Sequence, residues 1–295
     1  MPWPYRNSVS RTALAKRLRL TFVANGGTRA LFAGIAPSFS AETPLVLFPE
    51  RVATQARRMK VAIVLVVLTA PLLVYGQDRK ADHNAHGWYS YAGDHPIRNT
   101  KWGLHLEGQY RRHDVIQKWQ QLMLRPAVNY QLSSSLTLTA GYGFIRTHTY
   151  GDFTSPSAAF PEHRLWEQAW WRYKGRGLNW GTRVRFENRF IGSPSGANYR
   201  YENRLRLFQQ TTKPLTSKSY LTASNELKFY VKPYVSSSTF DQNRAYGAVG
   251  FSLNPSLRIE VGYLNQLLLR RSGSVIESNH TLILTLFSNA RILGE

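Results

Sequence analysis

Hydrophobic and polar side chains alternate with a period of two along the second two thirds of the chain. In the segment 179–190, for example, Arg185 and Glu187 alternate with Val184 and Phe186. Successive side chains of a β-strand point to opposite faces, so this pattern predicts strands rather than helices. Ten strands fit the pattern, and they lie at 101–111, 119–131, 135–148, 162–175, 179–190, 199–207, 217–231, 243–254, 257–263 and 277–289.

The length of these strands indicates the environment of the sheet. Strands of soluble proteins usually have ~5–6 residues, whereas a tilted strand needs ~9–11 to cross a bilayer, as most of these could. Closing the sheet places its apolar face in lipid and its polar face in a wet interior, and leaves no unpaired edge. The sequence therefore predicts an all-β fold, an antiparallel transmembrane β-barrel of the outer-membrane type, with ten to twelve strands within 101–290. A further strand at 87–92 would make the count odd, so it either lies outside the membrane or accompanies a strand not recognised.

Loops and aromatic residues indicate how this barrel would lie in a membrane. Short connections alternate with longer ones near 149–161, 191–198, 232–242 and 271–276, which is typical of periplasmic turns and extracellular loops and places the C-terminus in the periplasm. Seven of the eight tryptophans lie between Trp88 and Trp180. Many are near predicted strand ends, as in an interfacial aromatic girdle.

Charged residues occupy the face predicted to line the interior. We call them the charge ladder, and its members are Arg183, Arg185, Glu187, Arg189, Arg200, Glu202, Arg204, Arg206 and Glu260. Opposite charges across neighbouring strands are favourable and like charges are not. We therefore predict the register that places Glu187 opposite Arg204 and Arg189 opposite Glu202. If such a barrel conducts at all, its excess of arginine predicts a preference for anions.

The N-terminal quarter of the chain resembles an export signal more than a folded domain. Basic residues precede the apolar run of 59–76, which ends in small or slender residues and predicts a signal peptide cleaved near Gly76/Gln77. A short membrane anchor or a buried helix is the alternative. Residues 1–58 would then be an upstream extension of the gene model or a disordered leader, and 77–100 the N-terminal segment of the mature chain.

Composition excludes several classes of function. The chain has no cysteine, so disulfide scaffolds, thiolate metal sites and cysteine nucleophiles are excluded. Its formal charge of +21 would suit nucleic acid, but the arginines alternate with apolar residues and are interleaved with glutamate, so we expect no nucleic-acid partner. His83, His86 and His95 share no single face, and we expect neither a metal site nor a cofactor.

Several sequence strings, taken in order, resemble a known family. They are WGLHLEGQYR at 102–111, WQQLMLRP at 119–126, GYG at 141–143, EHRLWEQ at 162–168, DQNR at 241–244, GYLNQ at 262–266 and NHTL at 279–282. Together they resemble domain-of-unknown-function family 2490, which comprises outer-membrane proteins mainly of Bacteroidota. The resemblance implies an outer-membrane barrel of a Gram-negative bacterium and supplies no activity. Glu167, which lies on the apolar face of 162–175, replaces the glutamine of the family pattern.

Polar residues near the longer loops could form a binding site at the barrel mouth, or could merely order the rim by hydrogen bonds to one another. This predicted rim cluster comprises Asp241, Asn243, Arg244, Asn265, Gln266, Asn279 and His280. Ser278 and His280 share strand parity, and His148 and His163 lie near strand ends. A lipid-modifying hydrolase would need such a pair within hydrogen-bond reach, which the spacing does not require.

The sequence thus favours a non-catalytic outer-membrane barrel that serves as a structural protein, a narrow pore or a loop-mediated binder. The alternatives are an outer-membrane lipid hydrolase and a periplasmic lipid-binding barrel. The expected partners are outer-membrane lipid and the machinery that inserts barrels into that membrane.

Overall fold

The computed structural model describes residues 80–152, 158–231 and 238–292. The predicted signal peptide at 59–76 and the segment 1–58 lie outside the described residues. The described part of the chain contains no helix long and apolar enough to span a membrane. It forms eleven strands, which are β1 (Lys80–Pro96), β2 (Trp102–His113), β3 (Lys118–Gln131), β4 (Leu136–Thr147), β5 (Phe160–Gly175), β6 (Leu178–Gly192), β7 (Tyr199–Pro214), β8 (Ser219–Tyr230), β9 (Phe240–Asn254), β10 (Leu257–Leu269) and β11 (Val275–Ser288).

The eleven strands form one closed barrel. Each strand from β2 to β11 pairs antiparallel with its neighbour in the chain, and β1 pairs antiparallel with β2. Closure comes from β1 and β11, which run parallel from the pair Lys80–Val275 to the pair Gly93–Ser288. The prediction of an all-β closed barrel with ten to twelve strands is confirmed.

The first strand is longer than the sequence indicated. The sequence left a further strand at 87–92 open, either outside the membrane or accompanied by another, whereas β1 spans Lys80–Pro96 and completes the barrel wall. The count is therefore odd, and parallel pairing with β11 is what allows an odd number of strands to close. The sequence did not reveal the first half of β1 because His83 and Gly87 share its outer face with two alanines, so no hydrophobic alternation is visible there.

Connections differ in length between the two ends of the barrel. At one end, which we call the short-turn end, the connections have two to five residues, and one of the two shortest is Arg176–Gly177. Both of these residues have positive φ, 53° and 70°, as a two-residue hairpin turn of type I′ requires. At the other end, the long-loop end, connections reach nine residues at 231–239 and twelve at 148–159.

The two faces of the barrel wall have opposite polarity. Leu165 on β5 and Leu282 on β11 point outward and expose 54% and 50% of their surface, as do many other leucine and valine residues of the wall. Most inward positions are polar and buried: Glu187, Glu202 and Asn279 have no measurable exposure. The barrel is thus an inside-out protein, with apolar side chains outside and charged side chains within.

Only some of the tryptophan side chains lie on the outer surface of the barrel. Trp102 and Trp119 lie on the outer face at opposite strand ends, where each packs against a tyrosine, Tyr130 and Tyr110 respectively. By strand parity, the side chains of three tryptophans point into the interior instead, namely Trp88, Trp166 and Trp170. The aromatic girdle predicted from the tryptophan positions therefore includes fewer of them than the sequence suggested.

Candidate functional site in the barrel interior

The charge ladder faces the interior in the predicted register. Glu187 pairs with Arg204 and Arg189 pairs with Glu202 across β6 and β7. This confirms the predicted register, which also places two like charges, Arg185 and Arg206, opposite each other. The ladder ends near the long-loop end at Arg200, whose side chain is 51% exposed.

Glu187 is the first of two carboxylates that hold several basic groups. Its Oε2 accepts hydrogen bonds from Nε and Nη2 of Arg204 at 2.8 and 2.6 Å. Its Oε1 accepts one from Nη1 of Arg206 at 2.6 Å and lies 3.6 Å from Nη1 of Arg164. One buried carboxylate thus contacts three guanidinium groups.

Glu226 on β8 is the second such carboxylate, and the sequence reasoning did not single it out. Arg183 donates to its Oε1 at 2.7 Å, and Arg206 donates to both of its oxygens at 2.7 to 3.0 Å. Lys228 and Arg244 lie 3.6 and 3.9 Å away. The sequence could have indicated its position, because Ser224, Glu226 and Lys228 alternate with the outward residues of β8. The residues of this strand were not assigned to an inward and an outward face.

Two buried arginines have hydrogen bonds only to neutral partners among the described residues. Arg111 on β2 donates to Gln109 and to Gln121, and its guanidinium lies 3.8 Å from the ring centre of Trp88. Arg185 is 1% exposed, donates twice to Gln168, and lies 4.2 Å from the ring centre of Trp166. Side-chain amides and aromatic faces therefore replace carboxylates around these two charges.

The charged network divides the interior into two cavities. The cavity at the long-loop end has a volume of about 940 Å³ and that at the short-turn end about 980 Å³. Arg125, Arg206 and Arg244 line both, so they lie in the layer between them. The interior is consequently filled at mid-height and open towards each end.

The wall of the long-loop cavity is strongly basic. Of its described lining residues, three are acidic, Glu162, Asp241 and Glu277, and eleven are basic. The basic residues are Arg111, Arg125, Arg164, Arg189, Arg200, Arg204, Arg206, Lys228, Arg244, Arg270 and Arg271.

A tyrosine from the longest connection closes one side of this cavity. The Tyr150 hydroxyl donates to Oε2 of Glu277 at 3.0 Å, and its ring packs edge-on to His86 at 5.0 Å between ring centres. Burial raises the pKa of Tyr150, and the negative charge of Glu277 raises it further. Tyr150 therefore stays neutral and keeps donating to Glu277, which holds the start of this loop against the barrel wall.

The predicted rim cluster does not form one site. Arg244, Gln266 and Asn279 have inward side chains by strand parity. Asp241 also faces the interior, where it accepts a hydrogen bond from Arg204 at 2.9 Å, because the pairing of β8 with β9 shifts register beside it. Neighbouring residues in a strand must face opposite sides, so Asn243, Asn265 and His280 point outward. Asn243 donates to Asn225 at 2.6 Å, and Asn265 to Ser278 at 3.4 Å.

The histidine and serine candidates are also separated from one another. Ser278 and His280 both point outward from β11, and His280 Nδ1 is bonded to the Tyr263 hydroxyl at 2.6 Å, not to Ser278, in the described structure. Just outside the strands, burial and the nearby charge of Arg146 lower the pKa of His148. Among the residues that the structure describes, no three metal-ligating side chains are grouped.

Comparisons with known proteins agree with the family resemblance. The model of a family described as "Protein of unknown function (DUF2490)" matches residues 85–277. An uncharacterized protein of Methylorubrum extorquens is 27% identical over 187 residues, which cover 61% of this chain and 78% of the relative. A NanC porin structure in a rhombohedral crystal form is 16% identical, with a TM-score of 0.40 over 65% of this chain and 92% of that one.

Proposed function

The chain belongs to the DUF2490 family, and from this premise we propose that it is a non-catalytic β-barrel of the outer membrane of a Gram-negative bacterium. Its barrel is closed at mid-height by ion pairs, and its long-loop cavity faces the outside of the cell. The proposal includes export by the signal at 59–76, cleavage near Gly76/Gln77, and insertion by the cell's barrel-insertion machinery.

The observation that carries this proposal is the exposed apolar wall. Outward leucine and valine residues recur around the barrel, for instance Leu124 on β3, Val261 on β10 and Leu284 on β11, which are 49%, 48% and 37% exposed. Soluble monomers rarely expose a contiguous apolar patch of more than a few hundred Å², because such a patch drives association. Outer-membrane lipid is the partner that an apolar belt around a closed barrel fits.

Two further observations support a non-catalytic barrel over a lipid hydrolase. A serine nucleophile requires a base within hydrogen-bond reach, and His280 is instead bonded to Tyr263. Ion pairs around Glu187 and Glu226 hold together the charged layer that separates the two cavities. Such a layer suits a structural or ligand-binding barrel better than a wide open pore.

Cell fractionation of the native host tests the location. We expect the protein in the outer-membrane fraction, resistant to carbonate extraction, with a faster-migrating folded form in gel electrophoresis that disappears on boiling. Release by carbonate without detergent would contradict the proposal and favour a periplasmic lipid-binding barrel. Lipid analysis of a deletion strain then tests the absence of catalysis. We expect unchanged lipids, because the loss of a lipid hydrolase would leave its substrate unprocessed and detectable.

A further inference from the structure

The layer that separates the two cavities carries more positive than negative charge. Among the residues that the structure describes, it contains eight basic residues against four acidic ones, most of them buried. The basic residues are Arg111, Arg125, Arg183, Arg185, Arg204, Arg206, Lys228 and Arg244, and the acidic ones are Glu107, Glu187, Glu226 and Asp241. Guanidinium groups remain charged in proteins, so this layer cannot become neutral by losing protons from arginine.

The excess charge is concentrated in the part of the layer next to Trp88, whose side chain lines the short-turn cavity. Arg111 and Arg244 approach the indole ring, at 3.8 and 4.9 Å from its centre. Arg111 has only glutamine partners among the described residues, and Arg244 lies 3.9 Å from a carboxylate that it shares with three other basic groups. Both arginine side chains line the long-loop cavity.

Unused hydrogen-bond donors accompany this charge. Nε of Arg125 and Nε of Arg244 are buried and have no partner in the described structure, and Arg125 is 5% exposed as a whole. Arg125 also lines the long-loop cavity. A buried charge that lacks a counter-charge is costly, and so is a buried donor that lacks an acceptor.

We propose that the floor of the long-loop cavity is a binding site for a small multivalent oxyanion, held by Arg111, Arg125 and Arg244. Carboxylate and phosphate groups match the planar fork of guanidinium with two parallel hydrogen bonds, whereas halides do not. A cavity of about 940 Å³ that the charged layer closes from below suits a small organic acid or phosphate compound. The ligand enters from the long-loop end, where Arg200 and Arg271 extend the basic surface towards the mouth.

Binding is tested by thermal unfolding of the purified, folded, full-length mature protein in detergent micelles. The probes are citrate for carboxylates and inorganic phosphate for phosphates, each compared with sodium chloride at equal ionic strength and with glucose as a neutral molecule. An anion that binds only the folded barrel raises Tm with saturation. We expect such a rise for at least one of the two probes, and the stronger probe identifies the ligand class. No rise beyond the sodium chloride control for either probe would overturn the proposal.

A pair of neighbouring arginines provides a matched test of the site. Arg111→Gln removes an inward charge, whereas Arg112→Gln removes a charge that points outward and is bonded to Tyr110 at 2.7 Å. By equilibrium dialysis with labelled citrate or phosphate, we expect Arg111→Gln to weaken binding at least tenfold and Arg112→Gln to leave it unchanged. Equal affinity of Arg111→Gln and the unsubstituted protein would contradict the assignment.

A second variant covers the case in which Arg111→Gln does not fold. Arg244→Gln leaves Glu226 with the closer partners Arg183 and Arg206, so the barrel should keep its heat-modifiable folded form. We expect the same loss of anion affinity, and undiminished affinity would refute the site. These measurements do not depend on where the protein lies in the cell, so a failed fractionation and a failed binding experiment refute different proposals.

Discussion

Glu187 on β6 lies directly opposite Arg204 on β7, and one of its carboxylate oxygens accepts two hydrogen bonds from that guanidinium, at 2.8 and 2.6 Å. This pair fixes the relative position of the two strands, because a shift by two residues would bring Glu187 against Glu202. The same carboxylate reaches Arg206 and Arg164, so it also joins the strands of the charged layer to one another.

Removing the charge of Glu187 should destabilise the barrel strongly. In Glu187→Gln, the three guanidiniums of Arg164, Arg204 and Arg206 would share one neutral amide in place of a carboxylate, and breaking a buried ion pair typically costs ~3–5 kcal/mol. Urea unfolding in phospholipid vesicles, followed by tryptophan fluorescence, measures the change. A loss below ~1 kcal/mol would show that the network does not depend on this carboxylate.

Glu167 on the outer wall is the matched carboxylate with the opposite prediction. It is exposed on β5 between Ala140 and Phe186, and the described residues give it no hydrogen bond or ion pair. An acidic side chain in the lipid-facing belt is unfavourable, by less than the ~2–4 kcal/mol known for basic residues. We therefore expect Glu167→Gln to stabilise the barrel in vesicles by ~1 kcal/mol. Destabilisation would instead indicate a polar partner within the membrane, such as a second copy of the chain.

Ion conduction through the barrel should be small and anion-selective. The charged layer fills the interior at mid-height, and the basic residues around the long-loop cavity outnumber the acidic ones. In planar bilayers with a potassium chloride gradient, we expect a reversal potential whose sign shows that chloride permeates better than potassium. We also expect a conductance far below that of a wide porin. Arg206→Ala, which removes a side chain lining both cavities, should increase the conductance. Cation selectivity would contradict the prediction.

The alternation of β6 and β7 was sufficient to predict their faces and their register. Both strands have charged residues at every second position, so the polar face is unmistakable. Two pairs of opposite charge favour the observed register, although it also places Arg185 opposite Arg206. The faces and the register could be predicted because each depends only on the residues of these two strands. The predicted charge ladder accordingly lies in the interior.

Features that depend on closure of the whole barrel could not be predicted from the sequence. The strand β1 was recognised only in part, since its pairing with β11 is decided at the other end of the chain. The convergence of four basic groups on Glu226 likewise involves β6, β7, β8 and β9 at once. The two cavities and the unpaired charge of Arg111 follow from the same long-range arrangement.

The predicted rim cluster illustrates a different limit. Sequence proximity suggested that Asn243 and Arg244, or Asn279 and His280, would act together near the loops. Because period two places adjacent residues on opposite faces, each of these pairs is divided by the barrel wall. The alternation used to predict the strands already contained this information for these two pairs. It would have misplaced Asp241, because the register of β8 and β9 shifts beside that residue.

Parallel closure by β1 makes a prediction about topology. Because β1 runs parallel to β11, Lys80 lies at the long-loop end, whereas β11 ends with Ser288 at the short-turn end. If the long loops face the outside of the cell, an epitope tag inserted just before Lys80 should bind antibody on intact cells, while a tag after the C-terminus should bind only after the outer membrane is permeabilised. A tag in the loop 193–198 provides the positive control for surface exposure. Protection of the Lys80 tag together with exposure of the loop tag would show that β1 enters the barrel from the periplasmic end, and that the parallel closure is wrong.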